Sequence, residues 1–372
     1  MSLIPVDTGF EFITWQNVVM LLFAFGLIYL AIVKKMEAYE LLPLAVGMIL
    51  VNLPLTGLLE NEEGFQGLLY VLSNYGLVHW QIIPPIIFIG MGAMTDFSPL
   101  LANPKTILLG FAAQLGIFIA FIGALLLGFP TEAAAAASII GGADGPTTIF
   151  LTSRLAPAIL PATTVSAYTY MAMVPIFQPP IVKLLTTKDE RRIRMKQLRP
   201  VPATERILFP FMGLLVVILL IPKSATLIGM FFFGNILRES GVVPRLSEAA
   251  QKELTNLATM FLTLLVGSLL PGEKFLTIET LKIFGLGLLA IVACTAFGIL
   301  LAKLMNLFVK EKINPLIGAA GVSAVPMAAR VAQMLAHEED PTNYILMHAM
   351  GPNIAGVIGS AAVAGVFLGL LG

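Results

Sequence analysis

The sequence GGADGPTTIF, residues 141 to 150, contains the most informative feature of this chain. It sets one carboxylate, Asp144, in a break rich in glycine between hydrophobic stretches that are long enough to cross a bilayer. Ionisable side chains at that depth are costly, and they usually face a protein interior or a wet cavity and mark an ion or proton path. The functional hypothesis therefore starts at Asp144. The alternative is a buried structural ion pair between Asp144 and either Arg154 or Arg330.

Composition places this break in a polytopic membrane protein. Of 372 residues, 58% are hydrophobic and 12% are charged, and the mean hydropathy is +0.91. Uncharged runs recur along the chain at roughly the 20 residues that a helix needs to cross a bilayer, which predicts an all-α fold with about nine to eleven membrane segments. The net charge of zero, without a basic stripe, argues against a nucleic-acid partner.

Basic residues predict the orientation, because Lys and Arg accumulate in short cytoplasmic loops. The run KLLTTKDERRIRMKQLR, residues 183 to 199, has seven basic residues against two acidic ones and is predicted to be cytoplasmic. Lys34 and Lys35 place the end of the first span on the same side, so both termini are expected outside. The segment 131–156 then starts and ends on one side, which predicts a re-entrant hairpin with Asp144 in its break. Irregular backbone at that depth needs cover from protein or a wet cavity.

A weak internal repeat appears at a constant shift of 177 residues, where Gly141 meets Gly318 and Pro175 meets Pro352. The charge pattern requires the second copy to run in the opposite sense, with its own hairpin, 313–336, entering from the cytoplasm. Two opposed broken hairpins predict an inverted-repeat, transporter-like fold with an ion site near the midplane. The predicted units are N-terminal scaffold spans 1–81, a first repeat 82–185, a basic loop with two linking spans 186–253, and a second repeat 254–372.

The second hairpin supplies further candidate ligands. NPLIGAAGVSAVPMAAR, residues 314 to 330, offers Asn314, Ser323 and Arg330, and the following GPN adds Asn353. A small hard cation prefers oxygen ligands, which Asp144, Asn314, Ser323 and Asn353 together provide. The Arg330 fork suits either Asp144 or an anionic substrate. Plainer interpretations stay open: a hairpin cap for Asn314, helix packing for Ser323 and interfacial packing for Tyr168 and Tyr170.

Four long strings carry a resemblance to a known family: IIGGADGPTTIFLTSRLAP, FFFGNILRESGVVPRLSEAA, NPLIGAAGVSAVPMAARVAQ and HAMGPNIAGVIGSA. Together they closely resemble the beta subunit of the sodium-pumping biotin-dependent decarboxylases, which act on oxaloacetate, methylmalonyl-CoA, glutaconyl-CoA or malonate. The resemblance implies a subunit of a bacterial or archaeal cytoplasmic membrane. Such a subunit receives carboxybiotin from a mobile carrier, releases carbon dioxide, and couples this to sodium export with proton uptake.

The resemblance also implies site residues and partners. The implied catalytic residues are Asp144, Tyr170, Ser323 and Arg330, with Arg330 and Tyr170 at carboxybiotin. The implied sodium ligands are Asp144, Asn314, Gly318, Ser323 and Asn353. Biotin is expected on a partner rather than on this chain, and the expected partners are a carboxyltransferase alpha subunit, a biotin carrier protein or domain, a small membrane gamma or delta subunit, and further copies of this chain. The alternative function is a sodium-coupled secondary transporter of a carboxylate solute, with no bond cleavage.

Overall fold

The computed structural model describes residues 8 to 62 and 65 to 372. This part of the chain is helical, as predicted, apart from one antiparallel pair of two-residue strands, β1 Asn61–Glu62 and β2 Phe65–Gln66. The helices in chain order are α1 Trp15–Ile32, α2 Ala38–Asn52, α3 Leu68–Ser73, α4 Ile83–Met94, α5 Ser98–Ala102, α6 Thr106–Ala113, α7 Leu115–Leu126, α8 Thr131–Ser138, α9 Gly145–Leu155, α10 Leu160–Leu185, α11 Lys188–Arg191, α12 Ala203–Leu220, α13 Ala225–Glu239, α14 Pro244–Ala249, α15 Thr255–Ser268, α16 Gly272–Phe275, α17 Ile278–Phe308, α18 Leu316–Ala319, α19 Met327–Glu339 and α20 Leu346–Leu371.

The helices confirm the class of helical membrane protein. Within the described ranges, six helices are long and apolar enough to cross a bilayer: α1, the α6–α7 unit, α10 with its leading turn, α12, α17 and α20. A bent pair, Leu68–His79 and Ile83–Met94, turns by 68° and makes a seventh if it counts as one span. The nine to eleven segments expected from the sequence stay a prediction.

Two close helix crossings build the layer against which the site packs. A Cβ added to Gly47 on α2 would lie 2.0 Å from the Leu264 carbonyl oxygen on α15. A Cβ on Gly92 of α4 would lie 1.8 Å from the Phe231 carbonyl oxygen on α13. Only glycine permits such an approach, and small residues at helix interfaces are a common way to pack membrane helices. Helices α9 and α10, which carry site residues, contact α4 and α15 of this layer.

The basic loop after α10 forms a strap, defined as residues 186–202, across one end of the second hairpin. Arg191 pairs with Glu339, the last residue of α19. Arg194 pairs with Asp340, the residue that follows α19. Asn314 Nδ2 donates to the backbone oxygens of Arg191 and Ile193, at 2.9 Å each. The strap therefore lies on the same face of the molecule as the cytoplasmic ends predicted for α17 and α19.

Candidate functional site at the meeting of two broken hairpins

The first hairpin breaks where the sequence predicts. Helix α8 ends at Ser138, a short 3-10 turn follows, and Ala143 adopts a left-handed backbone with φ 54°. Asp144 then returns to extended backbone and caps α9: the Thr147 N–H donates to Asp144 Oδ1 at 3.2 Å. Aspartate is a favoured residue at this position because its side chain accepts from a backbone N–H that the helix leaves free. The break thus fixes the acid in place through local chemistry.

The Asp144 carboxylate is buried and surrounded by hydroxyl groups. Its side chain is 3% exposed, and Oδ2 accepts from Thr147 Oγ1 at 2.6 Å and from Ser360 Oγ at 2.9 Å. Ser360 lies on α20 and was not among the predicted site residues. A sequence signal existed, since Ser360 follows Asn353 by seven residues and therefore shares its helical face.

The tips of the two hairpins touch. The Ser323 N–H of the second tip donates to the Gly142 carbonyl oxygen of the first at 2.8 Å. Ser323 Oγ donates to Ser360 Oγ at 3.1 Å, and Ser360 in turn donates to Asp144. A continuous hydrogen-bonded chain therefore runs from Ser323 through Ser360 to the buried carboxylate.

A cavity of about 480 Å³ opens onto this chain. The predicted residues in its wall are Asp144, Ser323 and Arg330. Arg330 is exposed, whereas Arg154, the other candidate partner of the acid, donates its Nε–H to Gln81 instead. The placement of both arginines favours a functional acid over a structural ion pair.

Three further cavity residues were not predicted as site residues: Glu37, Glu40 and Tyr168. Glu40 Oε2 is buried without a hydrogen-bond partner among the described residues. Tyr168 packs so closely on the first break that a Cβ at Gly145 would lie 2.4 Å from its Cζ. The glutamates stand at the start of α2, far along the chain from the hairpins, and no motif in the sequence links them to Asp144.

Asn353 supports the second tip from α20. Its Nδ2 donates to the carbonyl oxygens of Ala320 and Val322, at 3.0 and 2.7 Å. Its Oδ1 is buried and has no hydrogen-bond partner in the described part of the chain. Gln178 on α10 acts similarly, with Nε2 donating to the Ala319 carbonyl oxygen at 2.6 Å. The tip therefore rests on amide groups from two helices.

Three other predicted site residues lie elsewhere. Besides its bonds to the strap, Asn314 accepts the Leu316 N–H at 3.0 Å, which is the hairpin-cap geometry considered from the sequence. Gly318 packs on α17, where an added Cβ would lie 2.1 Å from the Gly298 oxygen. Tyr170 Oη donates to the Phe284 oxygen at 2.6 Å. None of these three lines the cavity as the described residues form it.

Comparison with known proteins gives one consistent result. A family model described as the Na+-transporting oxaloacetate decarboxylase beta subunit matches residues 16 to 371. The chain is 51% identical to the glutaconyl-CoA decarboxylase subunit beta of Acidaminococcus fermentans, over 98% of this chain and 96% of that protein. It is 50% identical to the methylmalonyl-CoA decarboxylase subunit beta of Propionigenium modestum, over 98% of each.

A third relative, the oxaloacetate decarboxylase beta chain of Haemophilus ducreyi, is 46% identical over 97% of this chain and 96% of that protein. The relatives thus share nearly the whole chain with this protein although their names carry three different acids or acyl-CoA substrates. The resemblance drawn from the sequence motifs is confirmed. The chain belongs to the family of beta subunits of the Na+-transporting oxaloacetate decarboxylases.

Proposed function

We propose that this chain decarboxylates carboxybiotin presented by a partner carrier, and that it couples this reaction to sodium export with proton uptake. The observation that carries the proposal is the hydrogen-bonded chain from Ser323 in the cavity wall, through Ser360, to Asp144. It joins the tip of the second hairpin to a buried acid that lines the same cavity and suits a cation. Family membership supports the decarboxylation part of the proposal, since the relatives are named as subunits of decarboxylases.

The cavity has the properties that a carboxylated ring requires. Its volume of about 480 Å³ falls in the range of about 300–1,000 Å³ typical of small-molecule sites. Arg330 and Lys35 provide positive charge for the carboxylate, and Ile87 and Met91 provide apolar wall for the ring. Guanidinium binds a carboxylate through two parallel hydrogen bonds, so Arg330 is the residue we propose for holding that group.

Loss of carbon dioxide from carboxybiotin leaves a ring nitrogen that takes up a proton, so a proton donor is needed beside the cavity. Ser323 and Tyr168 both line it. Ser323 is the better placed of the two, because its hydroxyl belongs to the chain that ends at Asp144. A proton on Asp144 can pass to Ser360 as the Ser360 proton passes to Ser323 and the Ser323 proton passes to the ring nitrogen, with both hydroxyls reversing their hydrogen bonds and Asp144 left as a carboxylate. Tyr170 is occupied by the Phe284 oxygen, and we propose that it fixes α10 against α17 beside the site.

Sodium is proposed to bind at Asp144. The hydroxyl groups of Thr147, Ser360 and Ser323 each carry lone pairs and can rotate from donating a hydrogen bond to coordinating a cation. Asn353 Oδ1, buried and unpartnered among the described residues, is a further oxygen beside the second tip. Asn314 and Gly318 hold that hairpin against the strap and α17. Moving one charge against 100 mV costs about 2.3 kcal/mol, so sodium release must be tied to decarboxylation.

The finer architecture belongs to the same proposal. We propose two inverted repeats with opposed re-entrant hairpins, with the strap and the cavity mouth on the cytoplasmic side and both termini outside. The N-terminal part of that expectation concerns residues 1 to 7, which lie outside the described residues. The proposed partners are a carboxyltransferase alpha subunit, a biotin carrier, a small membrane gamma or delta subunit and further copies of this chain.

The test is decarboxylation of free carboxybiotin by the purified chain, alone and with its partners. Sodium is titrated at constant ionic strength with choline as the replacement cation. We expect carbon dioxide release that requires sodium, and sodium uptake into inverted proteoliposomes when carboxybiotin is added. Transport of sodium with an intact carboxylate solute, without carbon dioxide release, would establish the secondary transporter instead.

A further inference from the structure

A buried glutamine lies at the crossing of the two hairpins and has no role so far. Gln114 separates α6 from α7 and is 2% exposed. Its Nε2 donates to two carbonyl oxygens, Gly110 on its own helix at 3.3 Å and Gly321 on the second tip at 3.4 Å. Its amide nitrogen therefore connects the end of α6 to the tip of the second hairpin.

The amide oxygen of Gln114 points to the first hairpin. A Cβ built on Gly142 would lie 3.6 Å from Gln114 Oε1 and 3.1 Å from Ser360 Cβ, so the oxygen and Ser360 flank the same glycine. Ser360 is the residue that donates to the Asp144 carboxylate. Gln114 Oε1 and the side chain of Ser360 therefore both lie near Gly142, two residues before Asp144.

This oxygen is buried and has no hydrogen-bond partner among the described residues. A buried acceptor without a donor is unfavourable. The polar groups that meet at this crossing are mostly oxygens: the Asp144 carboxylate, the Ser323 and Ser360 hydroxyls, and the Gly142 and Gly321 carbonyls. A concentration of oxygens around one carboxylate is the environment that a hard cation satisfies.

We infer that Gln114 Oε1 is a ligand of the sodium ion that binds at Asp144, an inference that rests on the proposed function. A neutral amide oxygen adds a ligand without adding a second negative charge. The site then holds one carboxylate against one monovalent cation, and the buried charges balance. The amide nitrogen keeps the oxygen aimed at the crossing through its two carbonyl bonds.

The test compares two buried amide side chains. Gln114→Met keeps the length of the side chain and removes its polar atoms. Asn235→Leu is the control, because Asn235 on α13 is also buried, its Nδ2 also donates to two carbonyl oxygens, and its own oxygen is also unpartnered among the described residues. Asn235 lies outside both hairpins and outside the cavity wall. The thermal unfolding midpoint of the full chain in detergent is measured against sodium chloride, with choline chloride keeping the ionic strength constant.

We expect Gln114→Met to raise the half-saturating sodium concentration by about tenfold or more, the scale on which groups around a bound metal act. Asn235→Leu should lower the midpoint in sodium-free buffer and leave the half-saturating concentration unchanged. A parental sodium response in Gln114→Met, or an equal change in both variants, would overturn the inference.

A second variant covers the case in which Gln114→Met does not fold. Gln114→Asn keeps an amide but draws its oxygen back by one methylene, and we expect weakened sodium binding with the fold retained. Parental sodium affinity in Gln114→Asn would also overturn the inference. Failure of the proposed function has a different signature: the parent and Asp144→Asn would respond to sodium equally, which would remove Asp144 from the ion site and this inference with it.

Discussion

The two hairpins meet tip to tip, yet they bring different chemistry. The first presents a carboxylate, Asp144, and satisfies it with the hydroxyls of Thr147 and Ser360. The second has no charged residue in its break and presents backbone carbonyls that amides such as Asn353 hold in place. In the cation site that we propose, one hairpin supplies the charge and the other supplies fixed dipoles.

The hairpins also differ in how they are anchored. The first is enclosed by protein along almost all of α8 and α9, whereas the second is tied to the strap through the Arg191–Glu339 and Arg194–Asp340 pairs. The Thr342 hydroxyl and the Arg194 guanidinium lower the pKa of Asp340 to about 2. Because this pKa is lowered by folding, the pair contributes above the ordinary carboxyl range and is lost only as the pH falls towards 2. Asp340 therefore stays ionised and paired with Arg194 at physiological pH.

The largest effect is expected from removing the charge of the first hairpin. Asp144→Asn should reduce sodium-stimulated decarboxylation and sodium transport by at least roughly 100-fold, since even outer groups of a metal site are worth about 10–100-fold. Both rates are measured in proteoliposomes. Asp96→Asn is the control, because Asp96 is a partly exposed carboxylate that accepts a hydrogen bond from the Ser98 N–H. Normal sodium dependence in Asp144→Asn would remove the acid from the ion path.

A methyl group at each tip separates packing from ion binding. In Gly318→Ala the added carbon meets a rigid backbone oxygen at 2.1 Å, so we expect about 1–3 kcal/mol or more of destabilisation. In Gly142→Ala it meets the Ser360 side chain at 3.1 Å, and we expect a folded protein with weaker sodium binding. Unfolding midpoints with and without sodium distinguish the two. Equal loss of stability with unchanged sodium affinity would contradict the proposed role of Ser360, which packs against Gly142, as a sodium ligand.

Substitution of Arg330 tests whether this residue binds carboxybiotin or sodium. Arg330→Lys keeps the charge but loses the fork, and we expect about a tenfold rise in KM for carboxybiotin from the weaker charge-assisted hydrogen bonding. The half-saturating sodium concentration should not change. Steady-state kinetics at two fixed sodium concentrations measures both quantities. The reverse pattern would assign Arg330 to the ion rather than to the substrate.

The smallest effect is expected at the anchor of the second hairpin. Asn314→Ala removes the nearer of two amide donors to the Arg191 and Ile193 oxygens, which Asn343 Nδ2 also reaches at 3.4 and 3.2 Å. The loss should cost about 1–3 kcal/mol locally. The strap carries many trypsin sites, so its cleavage rate reports the loosening directly. We expect faster cleavage between residues 186 and 202 than in the parent. An unchanged cleavage rate together with lost sodium binding would return Asn314 to the ligand set expected from the sequence.

The sequence predicted three residues that the structure brings to one cavity, Asp144, Ser323 and Arg330. The break at Asp144 was recognisable because a carboxylate in a glycine-rich part of an apolar stretch is costly, and Ser323 and Arg330 followed from the second hairpin motif. The sequence could not show which of two nearby tyrosines on α10 reaches the cavity. The resemblance implied Tyr170, but in the structure Tyr168 lines the cavity and Tyr170 donates a hydrogen bond to the Phe284 carbonyl oxygen.

Local patterns of hydropathy, glycine and proline were enough to predict the membrane class and the positions of both backbone breaks, and the long motifs were enough to predict the family. The neighbours of these breaks could not be predicted in this way. Ser360 reaches the first hairpin from α20, Gln114 reaches it from the junction of α6 and α7, and Glu37 and Glu40 reach the cavity from the start of α2. Such contacts depend on how helices cross, and the crossing is set by the packing of whole surfaces rather than by any motif that a single segment carries.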